Sequence, residues 1–82
     1  MSLEYYKKQM VDLRARLEKE KEAKKRDNER YADLVKSAST TDSKAYYRRQ
    51  KIDHAASHDR AIESIKRQIE SCKDSIARER KK

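Results

Sequence analysis

Apolar residues recur at alternating spacings of three and four in both halves of this 82-residue chain. The first series begins at Leu3 and continues to Leu17, and the second runs from Ile62 to Ile76. This is the heptad pattern of a coiled coil, in which positions a and d form one apolar stripe along a helix. The chain contains no Gly and no Pro, so its composition does not interrupt long helices. The pattern predicts an all-α fold.

A polar segment separates the two helical halves. Residues 37–43 are Ser-Ala-Ser-Thr-Thr-Asp-Ser, and such short side chains compete with a helix by hydrogen-bonding to the nearby backbone. Thr41, Asp42 and Ser43 are candidate caps for the second helix. We predict one domain, a two-helix antiparallel coiled-coil hairpin with a helix over about residues 3–36, a turn at 37–43 and a helix over about 44–80.

Folding the chain about this turn brings similar regions together. The apolar stretch 3–17 comes opposite 62–76, and the polar stretch 20–27 comes opposite 53–60. This matching favours a hairpin over one continuous rod. The residues predicted to form the seam between the helices are Leu3, Tyr6, Met10, Leu13, Leu17, Tyr31, Leu34, Ile62, Ile65, Ile69, Cys72 and Ile76. A thinner stripe is predicted for the start of the second helix, with Ala45, Tyr46, Ile52, Ala55 and Ala56.

The seam is too thin to give a large core. Charged residues make up 46% of the chain and hydrophobic residues 34%, and a small domain buries a low fraction of its surface. A lone hairpin of this kind is expected to be marginally stable. We therefore expect self-association into a helical bundle, or association with another helical protein.

Polar residues occupy the a and d positions in the middle of both helices. Two interpretations are open: these groups fix the register and the number of partner helices, or the helices separate there and water fills the gap. The residues concerned are Glu20, Lys24 and Asp27 opposite His54, His58 and Arg60. His54 and His58, spaced i,i+4, are also candidate metal ligands. Asp53, Asp59 or Glu20 of the facing helix could complete such a site, but the spacing does not determine these further ligands, so we predict no metal and no other cofactor.

No group of residues indicates an enzyme. The chain has no Gly-rich phosphate loop and no nucleophile placed beside a base. Cys72, its only cysteine, falls on the apolar stripe and is expected to be a small core residue. A single thiol forms no disulfide framework, and neither a signal peptide nor a transmembrane segment is visible. These features predict a cytoplasmic location.

The net charge is +8, and the excess is interleaved with acids along both halves. A basic balance favours acidic partners in general, whereas a nucleic-acid arm usually carries a block of like charges. Tyrosine pairs stand beside basic residues at 5–8 and 46–49, which also fits base stacking. Residues 78–82 form a basic end that suits phosphates or anionic lipid. The alternative function is therefore a basic helical module that binds nucleic acid or an anionic membrane.

The two halves also resemble each other. Residues 5–12, Tyr-Tyr-Lys-Lys-Gln-Met-Val-Asp, align with residues 46–53, Tyr-Tyr-Arg-Arg-Gln-Lys-Ile-Asp, and further matches follow at the same offset. Either the chain arose by duplication, or low-complexity helical sequence has produced the matches. Duplication predicts a hairpin with a pseudo-two-fold axis and with the two Tyr-Tyr segments at opposite ends.

Three features are similar to helical-hairpin modules found at the N-termini of some bacterial TIR-domain and related effector proteins. They are the opening Leu3-Glu4-Tyr5-Tyr6, the Ser/Thr/Asp segment 37–43 and the basic helix with Arg48 and Arg49. The resemblance implies an assembly module that clusters or docks an effector. The chain also resembles small helical-hairpin proteins of type VII secretion, which implies a secretion-system partner, although it lacks their Trp-x-Gly turn. Together these observations predict a non-catalytic helical module for protein–protein association or oligomerisation.

Overall fold

A computed structural model describes residues 2–81, which form two long α-helices. Helix α1 spans Leu3–Ser37 and helix α2 spans Thr41–Arg80. Within the described residues 94% are helical and none is in a strand. The helices pack against each other in a rod whose principal extents are 64 × 14 × 12 Å. The prediction of an all-α two-helix hairpin is confirmed. Over residues 2–81, neither helix has an apolar stretch of the length needed to cross a bilayer.

The bend between the helices is shorter than the predicted turn at 37–43, because only residues 38–40 leave the helical conformation. Thr40 has extended backbone angles, φ −118° and ψ 156°, and its hydroxyl accepts a hydrogen bond from the Ser43 N–H at 3.0 Å. Thr40 is therefore the cap of α2. The prediction of a cap at 41–43 was wrong, since those residues already form the first turn of the helix.

Helix α1 is capped at its start and continues further than predicted at its end. The Ser2 hydroxyl accepts a hydrogen bond from the Tyr5 N–H at 3.3 Å, which satisfies one of the backbone donors left open at a helix N-terminus. At the other end, the Ser37 hydroxyl donates to the Asp33 carbonyl at 3.0 Å. Ser37 therefore remains inside the helix, and the predicted start of the turn at this residue was one position too early.

The best-packed part of the seam lies at the end of the hairpin away from the bend. Met10 and Leu13 of α1 pack with Ile69 and Cys72 of α2, each exposing 8% or less of its surface. Partly buried side chains surround this cluster: Tyr6, Leu17, Ile65 and Ile76. The Cys72 thiol donates to the Tyr6 carbonyl at 3.1 Å. The other predicted seam residues, Leu3, Tyr31, Leu34 and Ile62, are buried or half-buried as well.

The first half of α2 only partly matches the predicted stripe: Ala55 and Ala56 are half-buried as expected, whereas Ala45 is exposed. Tyr46 is 59% exposed and Ile52 is 68% exposed, whereas Tyr47, Lys51 and His54 are half-buried. From Tyr47 the seam of α2 continues through Lys51, His54 and His58 to Ile62, in steps of four, three, four and four residues. The last step has four residues where the heptad pattern has three, and this shifts the seam around the helix. The apolar stripe expected from Ile52 therefore lies on the outside of the hairpin.

Candidate functional site

The middle of the seam is held by an imidazole placed between two carboxylates. His58 of α2 lies with its Nδ1 2.7 Å from Glu20 Oε1 and its Nε2 2.6 Å from Asp27 Oδ2, both on α1. The His58 side chain is 17% exposed, and the two carboxylates are about a third exposed. This Glu20–His58–Asp27 bridge joins two turns of α1 through one side chain of α2.

The geometry of the bridge requires a protonated histidine. Carboxylates only accept hydrogen bonds, so both ring nitrogens of His58 must donate, and only the imidazolium has two N–H groups. The hydrogen bond to Asp27, followed by the one to Glu20, raises the pKa of His58 above its ordinary value. The same hydrogen bond lowers the pKa of Asp27. The bridge is therefore a cation held between two anions.

Three further polar contacts adjoin the bridge. The Tyr31 hydroxyl lies 3.1 Å from His54 Nε2, with ring centroids 4.9 Å apart, and His54 Nδ1 lies 3.7 Å from Asp27 Oδ2. On the other side, Lys24 Nζ is 2.6 Å from Asp59 Oδ1. We call the residues of the bridge and of these contacts the polar layer. Their side chains meet directly across the seam.

The prediction of the polar residues in the middle of the seam was wrong for one residue of α2. The prediction placed Arg60 in this layer, but Arg60 is exposed and the residue that pairs with Lys24 is Asp59. Asp59 lies on the flank nearer α1 because of the step of four residues in α2.

This arrangement can fix the register of the hairpin. Sliding one helix along the other would leave the imidazolium without its carboxylates, and a partly buried charge without a partner is costly. Both nitrogens of His58 are engaged, and His54 Nε2 faces a hydroxyl. Within residues 2–81 no group of three or more His, Cys, Asp or Glu is arranged to hold a metal ion. The two histidines considered as metal ligands serve the contact between the helices.

The seam is flanked by concavities on one side and by rows of basic residues on the other, and the two sides are defined by heptad position. Met10 and Ile69 take position a, and Leu13 and Cys72 take position d. One side is formed by the g and c positions, and we call it the groove side. The other is formed by the e and b positions, and we call it the cationic side.

Three adjoining concavities of about 470, 420 and 210 Å³ run along the groove side, and all three are lined by Gln68. Along these concavities the α2 wall carries no charge, being made of Ala61, Ser64, Gln68, Ser71 and Ser75. Beyond them Arg78 donates from Nη2 to the Ser75 hydroxyl at 3.3 Å. Arg16 and Lys19 stand on the α1 wall. The floor, made by Leu13, Ile65 and Cys72, belongs to the seam.

The cationic side carries a basic residue at each e position beside the apolar cluster. On α1 and α2 these residues are, in order, Lys7, Arg14 and Lys21, then Lys66, Lys73 and Arg80. All six are exposed. Lys73 forms an ion pair with Glu70 at 3.3 Å, and for the other five the described residues show no ion pair. Lys7 and Arg80 belong to the basic segments 5–8 and 78–82 noted above, and the seven-residue spacing that links all six cations is visible in the sequence.

Comparison with protein-family models, curated proteins and solved structures finds no match to this chain. The candidate functional features are therefore those of its own geometry. They are the polar layer centred on His58, the groove side and the cationic side.

Proposed function

We propose that this chain is a non-catalytic helical module for protein–protein association. The observation that carries the proposal is the small core of a long rod. Only Met10, Leu13, Ile62, Ile69 and Cys72 are buried among the described residues, and none of them exposes less than 2% of its surface. A two-helix rod of 64 Å with such a core gains stability when a further helix covers part of its surface.

The chemistry of the seam supports the same proposal. Both ring nitrogens of His58 are hydrogen-bonded to carboxylates, and the Cys72 thiol is buried and donates a hydrogen bond to the Tyr6 carbonyl. Both groups therefore serve packing. Their use for catalysis would require the helices to separate.

Association can take the form of a homo-oligomeric bundle or of docking to another helical protein. The resemblance to effector-associated hairpins supports docking in a bacterial cytoplasm, and the type VII resemblance supports a secretion-system partner. The rows of cations favour a second candidate, a basic module that binds nucleic acid or an anionic membrane.

A mass and binding experiment separates these functions. Light scattering on the full chain at several concentrations gives its mass, and binding to DNA, RNA and anionic vesicles is measured between low and physiological salt. A concentration-dependent dimer or tetramer that ignores nucleic acid and lipid supports the association module. Micromolar binding to nucleic acid by a monomer, falling steeply with salt, would overturn it.

A further inference from the structure

We propose that the cationic side of the hairpin is a docking surface for an acidic helix of a partner protein. This inference rests on the proposed function and names the chemistry of the partner. It is based on the arrangement of like charges across the seam, on their spacing and on what borders them.

Like charges face each other across the seam on this side. In an antiparallel pair of helices the e positions of one helix lie beside the e positions of the other. The contacts of Tyr6 with Cys72 and of Glu20 with His58 set the register. Lys7 is therefore level with Lys73, and Arg14 with Lys66.

Coiled coils commonly place opposite charges at such positions, and facing cations destabilise the hairpin that carries them. The Arg14–Lys66 pair, in which neither cation has an ion-pair partner among the described residues, is therefore unfavourable in the isolated hairpin and becomes favourable when an anionic group lies between the two side chains.

The spacing of the cations matches another helix. Seven residues of α-helix rise about 10.5 Å, and this distance separates successive cations in each row. A helix with carboxylates at the same heptad interval, lying along the seam, would place one carboxylate between Lys7 and Lys73 and the next between Arg14 and Lys66. One such acidic stripe therefore meets both facing pairs of cations.

The borders of the cationic rows select for a narrow partner. The adjacent b positions are mostly acidic, with Glu4 and Glu18 on α1 and Glu63 and Glu70 on α2, all exposed. A membrane surface or a nucleic-acid duplex presents anions over a wide area, so these carboxylates would repel it. A single helix with an acidic stripe and basic flanks fits between the two rows of carboxylates. Val11 interrupts the α1 border and is 67% exposed, so it offers such a helix an apolar contact.

The test uses the full chain and a labelled synthetic peptide. The probe is an Ala-rich helical peptide of three heptads, with glutamates at heptad spacing on one face and lysines beside them. Fluorescence anisotropy measures its affinity for the parent chain, for Arg14→Glu and for Arg16→Glu. Both substitutions change the charge equally on the same helix, but Arg16 lies on the groove side and Arg14 on the cationic side.

Arg14→Glu is expected to weaken probe binding about tenfold, which corresponds to about 1.4 kcal/mol, and Arg16→Glu less than about threefold. Arg14→Glu is also expected to raise the melting temperature of the hairpin, because the Arg14–Lys66 pair then has opposite charges. Weaker binding by a more stable protein could not come from misfolding.

Three outcomes would overturn the inference. In the first, the probe does not bind the parent chain. In the second, Arg14→Glu and Arg16→Glu weaken probe binding equally. In the third, a DNA duplex or phosphatidylserine vesicles bind the chain more tightly than the probe does, with the same sensitivity to Arg14→Glu. If the probe fails while the chain forms oligomers that ignore nucleic acid and lipid, only this inference is lost. If duplex or vesicles bind a monomer in place of the probe, the proposed function is lost with it.

Discussion

Replacing Ile69 by Ala tests whether the apolar cluster beside Met10 holds the hairpin together. Ile69 is 8% exposed and packs in this cluster. The substitution removes three carbon atoms, worth about 2.4 kcal/mol of burial at about 0.8 kcal/mol each. A seam of two helices can close partly around the gap, which keeps the loss near the low end of such substitutions. The higher helix propensity of Ala returns a few tenths of a kcal/mol.

We therefore expect Ile69→Ala to lower the free energy of unfolding by about 2 kcal/mol. For a domain of this size the melting temperature should then fall by about 8–16 °C. Circular dichroism at 222 nm, followed during heating and in a urea titration at low protein concentration, measures both quantities. The loss is a large fraction of the stability expected for so small a domain.

Ile52→Ala is the matched control on the same helix. Ile52 is 68% exposed, so its truncation should change the free energy of unfolding by less than about 0.5 kcal/mol, toward greater stability because Ala favours helix. Equal losses for Ile69→Ala and Ile52→Ala would refute the assignment of the seam. A larger loss for Ile52→Ala would mean that α2 packs with its other face.

Three further predictions concern the polar layer and the bend. Since the pKa of His58 is raised in the folded chain, its contribution to stability is complete below about pH 6.5 and is lost as pH rises through the folded-state pKa. The lowered pKa of Asp27 acts oppositely: its contribution is present above about pH 3.8 and is lost as pH falls through the folded-state value. Melting curves between pH 3 and 9, compared with His58→Gln, should show an alkaline decline in the parent only, and NMR titration of the imidazole should give the raised pKa. Replacing Glu20, Asp27 and His58 together by Leu should raise the melting temperature and yield several species in sedimentation velocity, whereas His58→Leu alone should lower it because two carboxylates then lack their cation. A single species from the triple variant would count against a role in specificity. Thr40→Ala should cost about 1 kcal/mol in urea unfolding through loss of the cap, and Thr41→Ala should cost clearly less.

The seam was predictable wherever apolar side chains mark it. In α1 and in residues 62–76 of α2 the heptad spacing locates the contact residues, because burial and apolar character coincide there. In the first half of α2 they do not coincide. Lys51 and His54 occupy seam positions while Ile52 is exposed, and a search for apolar periodicity selects the wrong stripe. The similarity between the two halves, at an offset of 41 residues, predicts the correct stripe. It aligns Tyr47 with Tyr6 and His54 with Leu13, and both Tyr6 and Leu13 are seam positions.

The candidate site was predictable in position but not in its contacts. Matching polar stretches placed Glu20 and Asp27 opposite His58, as the structure has them. Which atoms meet depends on side-chain rotamers, and these do not follow from spacing alone. The extent of the bend was also beyond prediction, because several consecutive residues can each cap a helix and only backbone geometry selects Thr40.

The position of the apolar cluster also determines how the chain folds. The residues that hold it most firmly are far apart along the chain, with Tyr6 and Cys72 separated by 66 positions, whereas the Tyr31–His54 contact near the bend spans 23. Closing the longer loop costs only about 0.9 kcal/mol more by chain entropy. We therefore expect the transition state to form at the apolar cluster, and hydrogen exchange to be slower at Met10 and Ile69 than around residues 38–40, where the bend opens without disturbing the cluster.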